Sequence, residues 1–201
     1  ASWFRLVFDS ADADGGFNAF AETTIHNRWM FIDYQEGHPA WFAIPIAAGH
    51  ALLSGLVSPL TAARVGPITV FSLSCGFVVF RLKRVFGTTA AVAAPIALLT
   101  FPRLFSHAHY ATLDGQLTAW WLMLWAVDSS FQGSTRSKVW VGVLAGLTSA
   151  TKFTGWLAWL PLVLSRVVRR GAVEWRWLFA LVPIGLFTFW LVNPPLWHSP
   201  F

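Results

Sequence analysis

The chain has few charged residues and a single cysteine. Only 11% of its 201 residues are Asp, Glu, Lys or Arg, whereas soluble domains carry about 25%. So little polar surface would not keep a chain that is 56% hydrophobic in water, and the composition therefore predicts integration into a membrane. Because Cys75 is the one cysteine, an intrachain disulfide and a cysteine-based metal site are both excluded.

Acidic residues are scarce beyond the first 36 positions. The basic residues, which give a formal net charge of +5, stand in short clusters between apolar runs. That pattern is typical of cytoplasmic loops and not of a phosphate-binding face, so no nucleic-acid partner is expected. Carboxylates held at the rim of a membrane-embedded body predict chemistry at a membrane surface. The early acidic residues are Asp9, Asp12, Asp14, Glu22, Asp33 and Glu36, and only Asp114, Asp128 and Glu174 follow them.

Apolar stretches follow the acidic head along the whole chain, and several are shorter than the roughly 20 residues of a spanning helix. They predict an all-α fold, a polytopic membrane helical bundle with about six spanning helices and one outer interfacial helix. The predicted parts are an outer acidic loop at 1–39, an interfacial juxtamembrane helix at 40–57, and a truncated transmembrane bundle at 58–201. The stretches lie at 40–57, 67–82, 88–102, 115–127, 139–151, 154–165 and 176–193.

The positions of Lys and Arg predict the orientation of these segments. Basic clusters at 81–84, 136–138 and 166–176 are expected on the cytoplasmic side. The acidic head, the connection at 103–114, the turn at Lys152 and the tail from Asn193 are then expected on the outer side. This alternation works only if 40–57 lies along the outer interface; the alternative is that it is an ordinary span.

The head contains alternating carboxylates followed by two glycines, Asp12-Ala-Asp14-Gly-Gly-Phe17. Two carboxylates brought close together raise each other's pKa, which would make one of them a general base. The alternative is an ordinary solvated turn. Further along, Glu36 and His38 stand just before the interfacial segment, where the start of a helix favours an anion.

The outer connection at 103–114 carries Arg103, His107, His109 and Asp114. The two histidines are either metal ligands or hydrogen-bonded to their surroundings. Asp114 stands at the mouth of an uncharged segment, where a functional role is favoured over helix capping. Lys152 lies between two apolar segments without a carboxylate nearby in sequence, so it either snorkels to the interface or binds a phosphate.

Carboxylates and cationic groups on separate outer loops fit group transfer from a lipid phosphate, and the sequence contains no Walker pattern that would compete with this interpretation. Three stretches, taken in order, resemble GT-C class membrane glycosyltransferases, specifically the protein O-mannosyltransferase and aminoarabinose transferase group. They are Tyr34-Gln-Glu36-Gly-His38-Pro39, Pro102-Arg103 through Asp114-Gly-Gln-Leu117, and Gly146-Leu-Thr-Ser-Ala-Thr-Lys152-Phe-Thr-Gly155.

The resemblance implies a polyprenyl-phosphate-linked sugar as donor, a lipid or protein acceptor, and a catalytic acid in the first outer loop. Asp14 matches that acid best, with Asp12 as the alternative. Glu36 and Asp114 match residues that bind a divalent metal ion in some members. Lys152 matches a recurring lysine expected to bind the donor phosphate, assisted by Arg103, His107 or His38.

The chain departs from the family pattern at three points. The usual adjacent acidic pair is here Asp12-Ala-Asp14, so the identity of the base stays open, and Gly37 replaces a basic residue of some members. The usual first spanning helix is absent, so a fragment is expected. The resemblance places the protein in a bacterial inner membrane, in contact with membrane lipids, with its active site on the outer face.

Two other functions remain open. One is a transporter in which Asp114 and Lys152 mark the substrate path. The other is a non-catalytic membrane assembly subunit, which would not require carboxylates gathered on one face.

Overall fold

The computed structural model describes residues 6–9, 11–28, 39–129, 135–170 and 175–198. Over these residues the fold is all-α and contains no strand, which confirms the predicted class. The α-helices are α1 (Glu22–Arg28), α2 (Ala43–Leu53), α3 (Pro59–Leu99), α4 (Pro102–His109), α5 (Leu113–Ser129), α6 (Thr135–Ser149), α7 (Trp159–Arg170) and α8 (Trp175–Leu191). Short 3-10 turns lie at Gly16–Phe20, Ala40–Phe42, Phe153–Ala158 and Pro194–Trp197.

Helix α3 is a hairpin of two helical arms that meet at Gly87. Gly87 has φ +78° and ψ 161°, a non-helical conformation that glycine adopts at little cost. The chain turns back at Gly87. A contact between the first arm and the chain beyond the second arm shows this, since the Arg64 guanidinium lies 4.8 Å from the centre of the Tyr110 ring. These two residues are equidistant from Gly87 along the chain. The arms correspond to the predicted segments 67–82 and 88–102, and the basic residues at 81–84 lie beside the tip of the hairpin.

The first arm of α3 begins at a sequence-encoded cap and packs closely against α2. Ser58 accepts a hydrogen bond from the Thr61 backbone N–H at 3.3 Å, and Pro59 occupies the first helical position. At the crossing, a Cβ atom on Gly66 would lie 1.8 Å from the Pro45 carbonyl oxygen, so only glycine allows this approach. The eleven residues of α2 span about 16 Å, and the placement of 40–57 at the outer interface stays a prediction.

The main core lies among α5, α6, α7 and α8. Its centre contains fully buried Leu181 together with Val141, and the Trp177 side chain is 3% exposed. The remaining buried members are Leu124, Val127, Leu144, Ala145, Ala158 and Leu162. This core holds the elements that carry Asp114 and Lys152 in fixed positions relative to each other.

Two ion pairs show that α5 and the segment 153–170 run side by side in the same direction. Lys152 Nζ lies 2.7 Å from Asp114 Oδ1, and Arg166 Nη2 lies 2.8 Å from Asp128 Oδ1. Both pairs join residues 38 positions apart, so α5 and the segment 153–170 are parallel between the first pair and the second. The pairs lie near opposite ends of α5.

Large apolar side chains cover much of the surface. Leu52, Leu56 and Phe179 are each at least 75% exposed, and similar residues occur on α3 and α8. Among the described residues, the element Pro59–Leu99 is long and apolar enough to cross a membrane, with an 18-residue stretch of mean hydropathy 1.7. The bundle of about six spanning helices stays a prediction. The predicted outer connection at 103–114 differs from expectation in containing a helix, α4, which Pro102 opens.

Candidate functional site

Asp114 lies in the first turn of α5, at the point where α4 meets that helix. Its backbone carbonyl accepts a hydrogen bond from the Thr118 hydroxyl at 2.8 Å. The next residue, Gly115, allows the close approach of α4, because a Cβ there would lie 2.2 Å from the His107 carbonyl oxygen. The glycine therefore brings the last turn of α4 against the carboxylate.

Lys152 stands in a tight turn between α6 and the 3-10 turn at Phe153–Ala158. Its backbone is extended, and its carbonyl accepts a hydrogen bond from the Gly155 N–H at 2.8 Å. A Cβ atom on Gly155 would lie 2.0 Å from the Thr148 carbonyl oxygen, so the chain folds directly back over the end of α6. Trp159 Nε1 also donates to the Ser149 hydroxyl at 3.0 Å. These contacts of the turn fix the position of the Lys152 backbone.

The two residues form a charged cluster with His107. Lys152 Nζ donates to Asp114 Oδ1 at 2.7 Å, and His107 Nδ1 lies 3.9 Å from Asp114 Oδ2. The hydrogen bond from Lys152 lowers the pKa of Asp114 below its ordinary value of 3.8, and the positive charges of Lys152, His107 and Arg103 lower it further against partial desolvation. Asp114 is therefore ionised at neutral pH, and its pairing with Lys152 is charge-assisted.

Arg103 and Lys152 give the cluster a surplus of positive charge over the single carboxylate. An ammonium group has three N–H donors, and Asp114 accepts one of those of Lys152. The Lys152 side chain remains 27% exposed, and Arg103 stands exposed at the start of α4. The cluster can therefore bind an anion without breaking the ion pair. We call Arg103, His107, Asp114 and Lys152 the outer cluster.

The acidic head holds the two candidate bases in different environments. Asp12 Oδ1 accepts a hydrogen bond from the Asp14 backbone N–H at 2.9 Å, which commits the Asp12 side chain to the turn. Asp14 Oδ2 lies 3.4 Å from Arg28 Nη2, and its side chain is 52% exposed. Both carboxylates are exposed and each has a partner within the head, so Asp14 and Asp12 stay alternatives for the base.

The head docks on the end of the bundle that carries the outer cluster. Ile25 packs against Ala43, Ile44 and Trp197, and the Phe20 and Trp197 rings stack with centres 5.9 Å apart. The start of α2 is in turn tied to α5, since buried Gln116 donates to the Phe42 carbonyl at 2.9 Å. The ion pair of Asp14 with Arg28 lies within the head, and the outer cluster forms a separate group at the same end.

An apolar groove runs along the side of the bundle between α5 and the segment 153–170. It has a volume of about 480 Å³. One end, at Leu117 and Thr118, lies one helical turn from Asp114, and the other reaches Asp128 and Ser165. The walls between are Trp121, Leu122, Leu124, Trp125, Ala158, Pro161 and Leu162.

Not every predicted site residue can be placed. Glu36 and His38 lie outside the described residues. Within the described part of the chain no group of three or more metal-binding side chains is found, and the one carboxylate of the outer cluster is bonded to Lys152. The assignment of Glu36 and Asp114 to a divalent metal therefore stays a prediction.

The two histidines of α4 have separate partners. His109 Nδ1 lies 2.6 Å from the Phe105 carbonyl oxygen, and His107 Nδ1 lies 3.3 Å from the Thr112 hydroxyl.

The sequence interpretation did not anticipate two features. It found no carboxylate near Lys152 in sequence and did not pair Lys152 with Asp114, and it assigned no partner to Asp128. The signal available in the sequence is that Asp114 and Asp128 flank one apolar segment while Lys152 and Arg166 flank another with the same spacing. Matched spacing on two segments that run in the same direction would have suggested both pairs.

Comparisons of this chain with protein-family models, with curated proteins and with solved structures find no match.

Proposed function

We propose that this chain is a membrane glycosyltransferase that moves a sugar from a polyprenyl-phosphate donor to an acceptor hydroxyl at the outer membrane face. The observation that carries the proposal is the outer cluster, with its cationic surplus, one helical turn from the apolar groove. A lipid phosphate needs both parts, because its headgroup requires positive charge and its chain requires apolar surface. The resemblance described above supports the same donor class.

Lys152 is the residue proposed to hold the donor phosphate. Asp114 holds the ammonium in place, and the remaining N–H donors of Lys152 are available to phosphate oxygens. Arg103 and His107 add positive charge on the α4 side. As the bond from sugar to phosphate breaks, negative charge increases on the leaving phosphate, and prepositioned cations stabilise it more than they stabilise the intact donor.

Asp14 is the proposed general base, with Asp12 as the alternative. The acceptor hydroxyl gives its proton to the carboxylate while its oxygen attacks the anomeric carbon. The bond from that carbon to the phosphate oxygen breaks, its electron pair leaves with polyprenyl phosphate, and the anomeric configuration inverts. No step is assigned to a metal ion. The membrane bundle of about six spans, the bacterial inner membrane and the outer-face location are parts of this proposal.

The transporter remains the second candidate because of the ion pair Asp128–Arg166. That pair is buried, with Asp128 3% exposed, and it lies at the end of the groove remote from the outer cluster. Ionisable residues within membrane segments often mark substrate or ion pathways. The walls of the groove are predominantly apolar, which fits a lipid chain better than a polar substrate.

Donor turnover tests the proposal. The full-length protein, in membranes, is incubated with radiolabelled polyprenyl-phosphate sugars, and release of polyprenyl phosphate is measured for wild type, Asp14→Asn and Asp114→Asn. We expect turnover in wild type and a loss of about 100-fold or more in Asp14→Asn, the scale of a missing general base.

Asp9→Asn is the matched control, because Asp9 is an exposed head carboxylate whose side chain, within the described residues, accepts a local backbone N–H from Ala11 at 3.1 Å. It should retain wild-type turnover. Wild-type protein that is folded and inserted but turns over no donor would instead favour the transporter.

A further inference from the structure

A second polar site lies at the opposite end of the bundle from the outer cluster. There α6 and α8 both begin, at Thr135 and Trp175, and a cavity of about 440 Å³ lies between them. Its lining consists of Lys138, Trp175, Arg176 and Trp177. Two cations and two indoles form these walls, and no residue of the proposed sugar-transfer site is among them.

Trp177 carries a polar group that the described protein does not satisfy. Its side chain is 3% exposed, yet its indole N–H has no hydrogen-bond partner within the described chain. Buried donors are nearly always paired with protein, water or ligand. Trp177 is both a member of the main core and a residue of the cavity lining, so its indole N–H is the buried donor nearest in sequence to Arg176.

Among the described residues, the charged groups that line the cavity are the two cations Lys138 and Arg176, which favour an anion. Asp128, a nearby buried carboxylate outside the cavity lining, accepts hydrogen bonds from Arg166 at 2.8 Å and from Ser165 at 3.1 Å. Arg166 also stacks over the Trp177 ring, 4.8 Å from its centre, which adds positive charge behind the indole. The first turns of α6 and α8 contribute the positive ends of two helix dipoles.

The location of the cavity favours a lipid headgroup. Leu82, near the tip of the α3 hairpin, packs in one cluster with Ala126 near the end of α5. The basic residues 81–84 are therefore at this same end of the bundle. Trp175 is 65% exposed beside the cavity, and exposed Trp with Lys and Arg is typical of the boundary between headgroups and acyl chains.

We propose that this cavity binds the headgroup of an anionic phospholipid from the adjacent leaflet. Lys138 and Arg176 hold the phosphate, and Trp177 Nε1 donates to a headgroup oxygen. The inference rests on the membrane placement in the proposed function, but not on sugar transfer.

The binding of lipid to the purified protein tests this proposal. The full-length protein is purified in detergent, and binding of phosphatidylglycerol and phosphatidylcholine with the same acyl chains is compared by native mass spectrometry. We expect phosphatidylglycerol to be preferred, and Lys138→Gln with Arg176→Gln to weaken its binding about 25-fold, since each basic residue contributes roughly a fivefold preference. Trp177→Phe, which keeps the ring and removes the donor, should weaken binding about threefold.

Lys83→Gln with Arg84→Gln is the control, because it removes the same charge from the hairpin tip without changing the cavity. Binding should then change less than about twofold. Equal losses in the two double variants, or no preference for phosphatidylglycerol, would overturn the proposal. Displacement of the lipid by millimolar inorganic phosphate would overturn the assignment to a lipid headgroup. Donor turnover is not the readout, so the result is independent of glycosyl transfer.

Discussion

Asp114 is a carboxylate at the rim of a predicted membrane segment, and the hydrogen bond from Lys152 is the largest cause of its lowered pKa. Its ionised form is stabilised chiefly by the hydrogen bond from Lys152, which more than offsets partial desolvation. Lys152 in turn gains a counter-charge, while both side chains stay partly exposed to solvent, at 27% for Lys152 and 44% for Asp114. The pair is therefore both a structural link between α5 and the turn after α6 and the proposed holder of a phosphate.

The lowered pKa of Asp114 predicts a pH-dependent contribution to stability. Because the folded pKa lies below the ordinary value of 3.8, the stabilising effect is fully present above that value and is lost as pH falls through the folded pKa. In thermal unfolding of detergent-purified protein, wild type should be more stable than Asp114→Asn by a constant amount at about pH 5–7. The difference should narrow at lower pH.

Asp9→Asn serves as the control, since within the described residues the Asp9 side chain accepts a hydrogen bond from its own turn. This variant should leave the pH profile of unfolding unchanged. A difference between wild type and Asp114→Asn that widens as the solution is acidified would contradict the assignment of the pair.

At the scale of helices, close backbone contacts at glycines position the site. Gly115 allows α4 to lie on α5, and this contact brings His107 to Asp114. The apolar stretches predicted α2, α3, α5, α6, α7 and α8, because long apolar runs are visible in composition alone, and the spanning of a membrane by these helices stays a prediction. Helix α4 was not predicted, because its polar residues Arg103 and His107 are typical of a connecting loop.

Replacement of Gly115 should damage the site more than the fold. The added methyl group of Gly115→Ala would lie 2.2 Å from the His107 carbonyl oxygen, so α4 must move, at a cost of about 1–3 kcal/mol. We expect a lower melting temperature and reduced donor turnover. Both are measured on detergent-purified protein.

Gly76→Ala is the matched control for this glycine. A Cβ at Gly76 meets nothing within 4 Å, and alanine is favoured over glycine inside a helix by roughly 0.5–1 kcal/mol. That variant should be unchanged or slightly more stable. If Gly115→Ala behaves like Gly76→Ala, the close approach of α4 and α5 is not needed for the site.

Across the whole molecule, charged groups are separated between the two ends of the bundle. The head and outer cluster occupy one end, and the hairpin tip, Arg166 and the cavity at Lys138 occupy the other. Counting Lys and Arg predicted which connections share an end, because basic clusters recur after alternate segments, and the side of the membrane that each end faces stays a prediction. The pairing of Asp114 with Lys152 was not predicted, since it depends on which helices are neighbours, and hydropathy carries no information about that.

The separation predicts which positions are accessible from each side of the membrane. In a Cys75→Ser background, single cysteines at Asn18 in the head and Thr88 at the hairpin tip are labelled with a membrane-impermeant maleimide. On intact spheroplasts Asn18→Cys should react, whereas Thr88→Cys should react only after permeabilisation. Labelling of both from one side would contradict the predicted orientation.

The most direct test of the central claim is donor turnover in Lys152 variants of the full-length protein in membranes. Lys152→Gln should lower turnover of polyprenyl-phosphate sugar about 100-fold, the scale of losing one preorganised charge at the leaving group. Lys152→Arg should retain part of the activity, and Lys83→Gln, which removes a charge from the opposite end, should retain all of it. Wild-type turnover in Lys152→Gln would contradict the account, because the outer cluster would then not hold the donor phosphate.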